Sequence, residues 1–145
     1  MAALLKLRDI TPGMVYQTPG IVVTESHILA FAGIGGDFFA IHVDDVAARE
    51  KGFPARVAHG LLGLTLVDGL KNRSDVQFDG IASLEWHYRF LAPVFAGDRL
   101  QARIEVLEKR PTSDGLRGIV KLGFAVSNQK QERVQEGSNL LLVHA

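Results

Sequence analysis

The chain has 145 residues, 47% of them hydrophobic, which suits one domain with a real core and excludes a disordered chain. Lys plus Arg and Asp plus Glu each number 16, so no net field draws nucleic acid or an acidic membrane surface. There is no cysteine, which excludes disulfides, thiolate chemistry and thiol-rich zinc sites.

The first residues, Met-Ala-Ala-Leu-Leu-Lys-Leu-Arg-Asp, lack the charged-then-apolar order and the length of a signal peptide. No apolar run reaches the ~18 residues of a membrane span. The expectation is a cytoplasmic protein with one domain over 1–145, without repeats or linkers.

Tyr16 to Val23 is β-type sequence broken by Pro19-Gly20, which predicts a hairpin. Thr24 or Ser26 caps a helix running to about Gly33, where a cluster of glycines ends it. Val43 to Lys51 reads as a second helix, with Asp44 and Asp45 in its first turn and Arg49 and Lys51 in its last. Gly52 and Pro54 stop it.

His59 to Asn72 carries Leu61, Leu62, Leu64, Leu66, Val67 and Leu70 around most of its circumference, which predicts a buried helix. Gly63 and Gly69 each weaken it by up to about 1 kcal/mol relative to Ala, so another backbone is expected close by. Ile81–Leu91, Arg99–Glu108, Leu116–Val126 and Val134–Val143 then read as strands, with Asp114-Gly115 as a hairpin turn. Helices and strands are largely segregated, which argues for α+β: about five antiparallel strands wrapped around one long helix. Such a sheet leaves an open edge, so pairing with a second copy is expected.

Chemistry concentrates in two places. In Gly36-Asp37-Phe38-Phe39-Ala40-Ile41-His42, Asp37 and His42 are five positions apart. A carboxylate beside an imidazole keeps it basic and lets the pair grip one water. The apolar residues between them suggest a buried pair. By spacing alone the plainer account stays open, in which Asp37 caps a turn and His42 is an ordinary half-buried residue. In Ala58-His59-Gly60, Gly60 sits in the first turn of the long helix, where unpaired N–H groups and no Cβ suit an oxyanion. Equally, Gly60 could serve the turn and His59 the cap. Asp68 either reaches solvent or a partner, or belongs to the pocket. His27, His87 and His144 read as structural or surface residues, and no spacing matches a metal ligand set.

Taken together, these segments resemble the MaoC-like dehydratase family, which includes the (R)-specific enoyl-CoA hydratases. The family pattern Gly-Asp-x-Asn-Pro-x-His, a short helix, then Ala/Val-His-Gly is met by Gly36–His42, Val43–Lys51 and Ala58-His59-Gly60. A later feature, Phe-x-x-Pro-Val-x-x-Gly-Asp, appears as Phe90 to Asp98. The resemblance implies a hot-dog fold, Asp37 and His42 as the catalytic dyad, and the Gly60 N–H in the oxyanion hole. The implied reaction is hydration of a trans-2-enoyl thioester, or its reverse, on coenzyme A or acyl carrier protein, without cofactor or metal. A thioesterase and a non-catalytic acyl-binding domain are its rivals. The family's Asn-Pro is Phe39-Ala40 here. Phe38 and Phe39 are expected to hold the loop by packing and to line the acyl pocket. His59 is expected to touch substrate.

Overall fold

Four long strands build the sheet, two of them with alternating burial. A computed structural model describes residues 3–145; residues 1 and 2, where the N-terminal run begins, lie outside them. The short strands are β1 (Leu4–Leu5), β2 (Val15–Gln17), β3 (Ile21–Val22) and β4 (Gln77–Phe78). The long ones are β5 (Gly80–Phe90), β6 (Arg99–Pro111), β7 (Arg117–Ser127) and β8 (Arg133–His144). On β6 the residues Leu100, Ala102, Ile104 and Val106 are buried, and on β7 Val120, Leu122, Phe124 and Val126. Period-two burial of this kind puts one face of the sheet on the core. The order is β2-β6-β7-β8-β5, with β3 also on β6; β1 and β4 form a separate parallel pair. All pairs within the large sheet are antiparallel.

The helices are α1 (Glu25–Gly35), α2 (Ala40–Val43), α3 (Asp45–Glu50) and α4 (Gly60–Lys71). Helix α4 contributes Leu62 and Val67 to the same core as Leu100, Ile104, Leu122 and Val143. This is the hot-dog arrangement, with six strands in the sheet rather than the expected five or so.

Four expectations need correction. Tyr16 to Val23 is not a hairpin: β2 and β3 both run antiparallel to β6, as one edge strand interrupted at Pro19-Gly20. Proline is tolerated there because an edge needs no N–H from it. Val43–Lys51 is not one helix. Asp44 ends α2 and caps α3, its Oδ1 accepting the Val46 and Ala47 N–H groups at 2.8 and 3.2 Å. Helix α4 is not buried all round, since Leu61, Thr65 and Gly69 form an exposed row one turn apart. Finally, Gly63 admits a side chain, the Gln135 amide, and a Cβ at Gly69 would meet nothing within 4 Å. Asp68 pairs with Lys71 at 2.7 Å and is half-exposed, which answers the question left open for it.

The caps agree better. Thr24 Oγ1 accepts the His27 N–H at 3.1 Å while the Thr24 N–H reaches His27 Nδ1 at 3.0 Å, so His27 completes a capping box. Gly36, at φ 73, closes α1 in the left-handed region that favours glycine. At the β6–β7 hairpin, the Thr112 hydroxyl, the Leu116 N–H and Arg117 hold the Asp114 carboxyl down at about 2.

Leu70, fully buried on α4, should cost roughly 2–5 kcal/mol in chemical denaturation when changed to Ala. The Asp114 pKa is lowered on folding. Its contribution should therefore be complete above the ordinary carboxylate range and be lost as pH falls toward about 2. A carboxyl NMR titration reads this directly, and Thr112→Ala should move the midpoint upward.

Candidate active site

Three chain segments meet at the N-terminus of α4. The loop after α1 brings Asp37, the single turn of α2 brings His42, and the run from Val57 leads into His59 and Gly60. Val57 locks them together. Its N–H donates to the Ile41 carbonyl at 2.9 Å, and its carbonyl accepts from His42 Nδ1 at 2.6 Å. The Ala58 N–H bonds to the Val94 carbonyl at 2.8 Å, and Val57 bridges Phe95. The Phe90–Asp98 segment thus joins the same site. Its turn is set by Gly97 at φ 94 and by Asp98 Oδ2, which accepts the Phe95 N–H at 2.9 Å. Arg56 ties the run to α3 through Asp45 and also pairs with Glu25 of α1. The Arg56 N–H, above all, holds the Asp45 carboxyl below the usual range.

A carbonyl only accepts, so the bond to Val57 fixes the proton on His42 Nδ1. Nε2 of the neutral ring then carries a lone pair. It lies 3.8 Å from Asp37 Oδ2. That is too long for a direct hydrogen bond and short enough for one water to touch both. The pair is not buried as a unit: His42 is, but the Asp37 side chain is 56% exposed. Asp37 Oδ1 accepts the Phe39 N–H at 3.2 Å, which closes the turn between the two residues.

His59 is buried behind His42. The rings stack with centroids 3.7 Å apart, and His59 Nε2 donates to the Asp37 carbonyl oxygen at 2.9 Å. Its Nδ1 is buried without a partner among the described residues. Nitrogens or oxygens of Asp37, His42 and His59 therefore come within 4.8 Å of one another, a convergence that spacing did not reveal. A shared metal fits poorly as these rings stand. Ring lone pairs lie in the ring planes, and two planes stacked at 22° do not meet at one ion.

A cleft of about 480 Å³ opens beside His42 and Gly60, walled mainly by Ile41, Phe53, Leu61, Phe90 and Pro93, with Gln135 as a polar member. Its size and apolar lining suit a small organic ligand. The Gly60 and Leu61 N–H groups, at the start of α4, have no hydrogen-bond partner among the described residues. Phe38 and Phe39 are more than half exposed. Phe39 is edge-on to His42 at 6.5 Å, and neither phenylalanine lines the cleft, nor does His59. A second hollow of about 530 Å³ lies on the outer face of the sheet, near Arg89, Arg103 and Glu136, and holds none of these groups.

The family model for the MaoC like domain matches residues 9–127. The chain belongs to that family. It is 33% identical over 143 residues to the uncharacterized protein YdeM of Bacillus subtilis strain 168, covering 96% of this chain and 99% of that one. It is 36% identical over 102 residues to Protein MaoC of Klebsiella aerogenes, covering 70% of this chain but only 30% of that one. It is 32% identical over 85 residues to an (R)-specific enoyl-CoA hydratase of Aeromonas caviae, covering 59% of this chain and 63% of that enzyme. The solved structure of a monoamine oxidase regulatory protein from Archaeoglobus superposes with a TM-score of 0.92 at 30% identity, covering 99% of this chain and 97% of that one. No helix among the described residues is long and apolar enough to cross a membrane.

The bond to Val57 makes a spectroscopic prediction. Long-range ¹H–¹⁵N correlation spectra should show the neutral form of His42 with its proton on Nδ1. A proton on Nε2 would contradict this geometry.

Proposed function

We propose that this chain adds water across the double bond of a trans-2-enoyl thioester, and catalyses the reverse dehydration of an (R)-3-hydroxyacyl thioester. One observation carries the reading: the His42 Nε2 lone pair and the Asp37 carboxylate face each other across 3.8 Å, beside a helix start with free N–H groups. Membership of the MaoC like family and the likeness to an (R)-specific enoyl-CoA hydratase support it.

The acyl group lies in the apolar cleft with its carbonyl toward Gly60. A water held by Asp37 Oδ2 and His42 Nε2 gives one proton to the pair as its oxygen bonds to C3. The electron pair of the C2–C3 double bond moves toward the carbonyl, and the Gly60 N–H and the α4 dipole stabilise the enolate-like oxygen. The proton then passes from the pair to C2, so one water is consumed and nothing else is released. Coenzyme A or acyl carrier protein supplies the thioester. No step in this scheme calls on a cofactor or metal.

The working unit is a homodimer in this reading. Strand β5 is an unpaired edge of eleven residues, and Ile81, Leu84, Phe90 and Leu91 on and beside it are exposed, as is Leu61 of α4. Light scattering at micromolar concentration should return about twice the 15.8 kDa of one chain.

Crotonyl-coenzyme A tests the chemistry. Loss of enoyl absorbance with an (R)-3-hydroxy product is expected. Release of free thiol instead would make the protein a thioesterase, and binding without turnover would make it a non-catalytic acyl-thioester-binding domain. Asp37→Asn and His42→Ala should each lower the rate by ~100-fold or more while folding normally. A variant that keeps the parent rate removes its residue from the scheme.

A further inference from the structure

Strand β8 departs from alternation at its start. Val126 pairs with Gln135 and Ser127 with Arg133, so Val134 is an extra residue between them. Its carbonyl accepts both the Leu91 and Ala92 N–H groups, at 2.8 and 3.2 Å. The bulge leaves Val134 buried out of phase, while Gln135 keeps the face of Asn139, Leu141 and Val143. Val134 and Gln135 are both buried in succession, and Gln135 is only 2% exposed.

The amide of Gln135 ends at the first turn of α4. Its Nε2 donates to the Gly60 carbonyl at 3.2 Å, and its Oε1 accepts from the Tyr88 hydroxyl at 3.0 Å. Only one amide orientation serves both partners, because the Gly60 carbonyl offers no hydrogen. Burial pushes the Tyr88 hydroxyl above its ordinary range, so it stays protonated and available to donate. Space for the amide exists because Gly63 has no side chain; a Cβ there would overlap Nε2. Gln135 also forms part of the cleft wall that His42 and Gly60 share.

Gly60 is the weak point of this corner. It has no Cβ to restrict its backbone, no side-chain cap precedes it, and its N–H and that of Leu61 are unpaired among the described residues. A bond to the Gly60 carbonyl fixes the peptide plane that carries the Leu61 N–H and limits rotation about the Gly60 Cα. We infer that Gln135, oriented by Tyr88, is a positioning residue that holds the Gly60 and Leu61 N–H groups toward the cleft. This rests on the reading of Gly60 as the carbonyl-binding group.

Gln135→Met and Gln135→Leu keep an apolar side chain of similar bulk but remove the donor. With crotonyl-coenzyme A as probe, each should lower kcat about tenfold or more and leave KM within about threefold, the pattern of a contact that matters in the transition state. Tyr88→Phe frees the amide to rotate and should fall between these variants and the parent. Gly63→Ala, whose Cβ displaces the amide, should also lower kcat. In ¹H–¹⁵N spectra of Gln135→Met, the Gly60 and Leu61 amide signals should shift and exchange faster with solvent.

A folded Gln135→Met with the parent kcat would overturn the inference and leave Gln135 as packing. If that variant fails to fold, Tyr88→Phe and Gly63→Ala decide, and parent-like kcat in both overturns it. Should the parent itself not hydrate crotonyl-coenzyme A, the proposed reaction is at fault. The amide signals then decide alone, and unchanged Gly60 and Leu61 signals in Gln135→Met, or in Tyr88→Phe if the Met variant does not fold, would overturn the positioning role.

Discussion

Everything at the N-terminus of α4 depends on how Val57 is gripped. Its N–H and carbonyl are both used within one turn of chain, by Ile41 and by the His42 ring. A backbone carbonyl cannot change protonation and moves little when the backbone around it is bonded, so it is a firm reference for an imidazole. One bond sets three properties of His42: the ring's orientation, its neutral tautomer, and which nitrogen faces Asp37. Loosening it would free the His42 ring to turn and would cost the site its order. The Val57 bridge to Phe95 and the Ala58 bond to Val94 extend the grip to the Phe90–Asp98 segment. That explains in physical terms why two motifs far apart in the chain occur together.

The absence of Asn-Pro between Asp37 and His42 is met by local hydrogen bonds rather than by aromatic packing. Phe38 and Phe39 are too exposed to stiffen a loop by burial. Asp37 Oδ1 instead holds the Phe39 N–H, the Asp37 carbonyl is held by His59, and Asp44 caps the next helix with Oδ1. Each end of α2 is therefore anchored by an aspartate, and its middle by Val57. A proline restricts one φ angle; these bonds restrict the positions of the flanking peptides, which is what the distance between Asp37 and His42 depends on. The two phenylalanines stand exposed outside the cleft, with Phe39 edge-on to His42.

Much of this was legible in the sequence because two physical periods were intact. Strands β6 and β7 alternate and α4 keeps helical spacing, and the boundaries of the four long strands and of α4 came within about three residues. Errors arose where one residue type admits two backbone roles. Pro19-Gly20 signals a turn, yet on an edge strand it merely interrupts pairing. Asp44 looks like a favourable first-turn charge, yet it is the cap that breaks the helix in two. The meeting of Asp37, His42 and Gly60 followed from resemblance and not from spacing, since loop segments carry no period. His59 behind His42 had one weak signal, a histidine just before a helix-starting glycine. Gln135 had none: alternation puts it on the core face with Asn139, Leu141 and Val143, but no period in the sequence brings its amide to the start of α4.

The cleft and the unpaired edge are parts of one surface. Leu61 and Phe90 both line the cleft, and both are more than half exposed in the single chain. Phe90 ends β5, the strand with a free edge, and Leu61 begins the open row on α4. A cleft with such a rim stays wet, and water weakens each electrostatic contact in it. In the proposed homodimer, covering the edge would bury the rim as well, so assembly would exclude water from the cleft. The His42–Val57 bond is already buried and needs no such help. The exposed Asp37 carboxylate and the unpaired N–H groups of α4 have the most to gain, because their attraction for a polar ligand rises as the local dielectric falls.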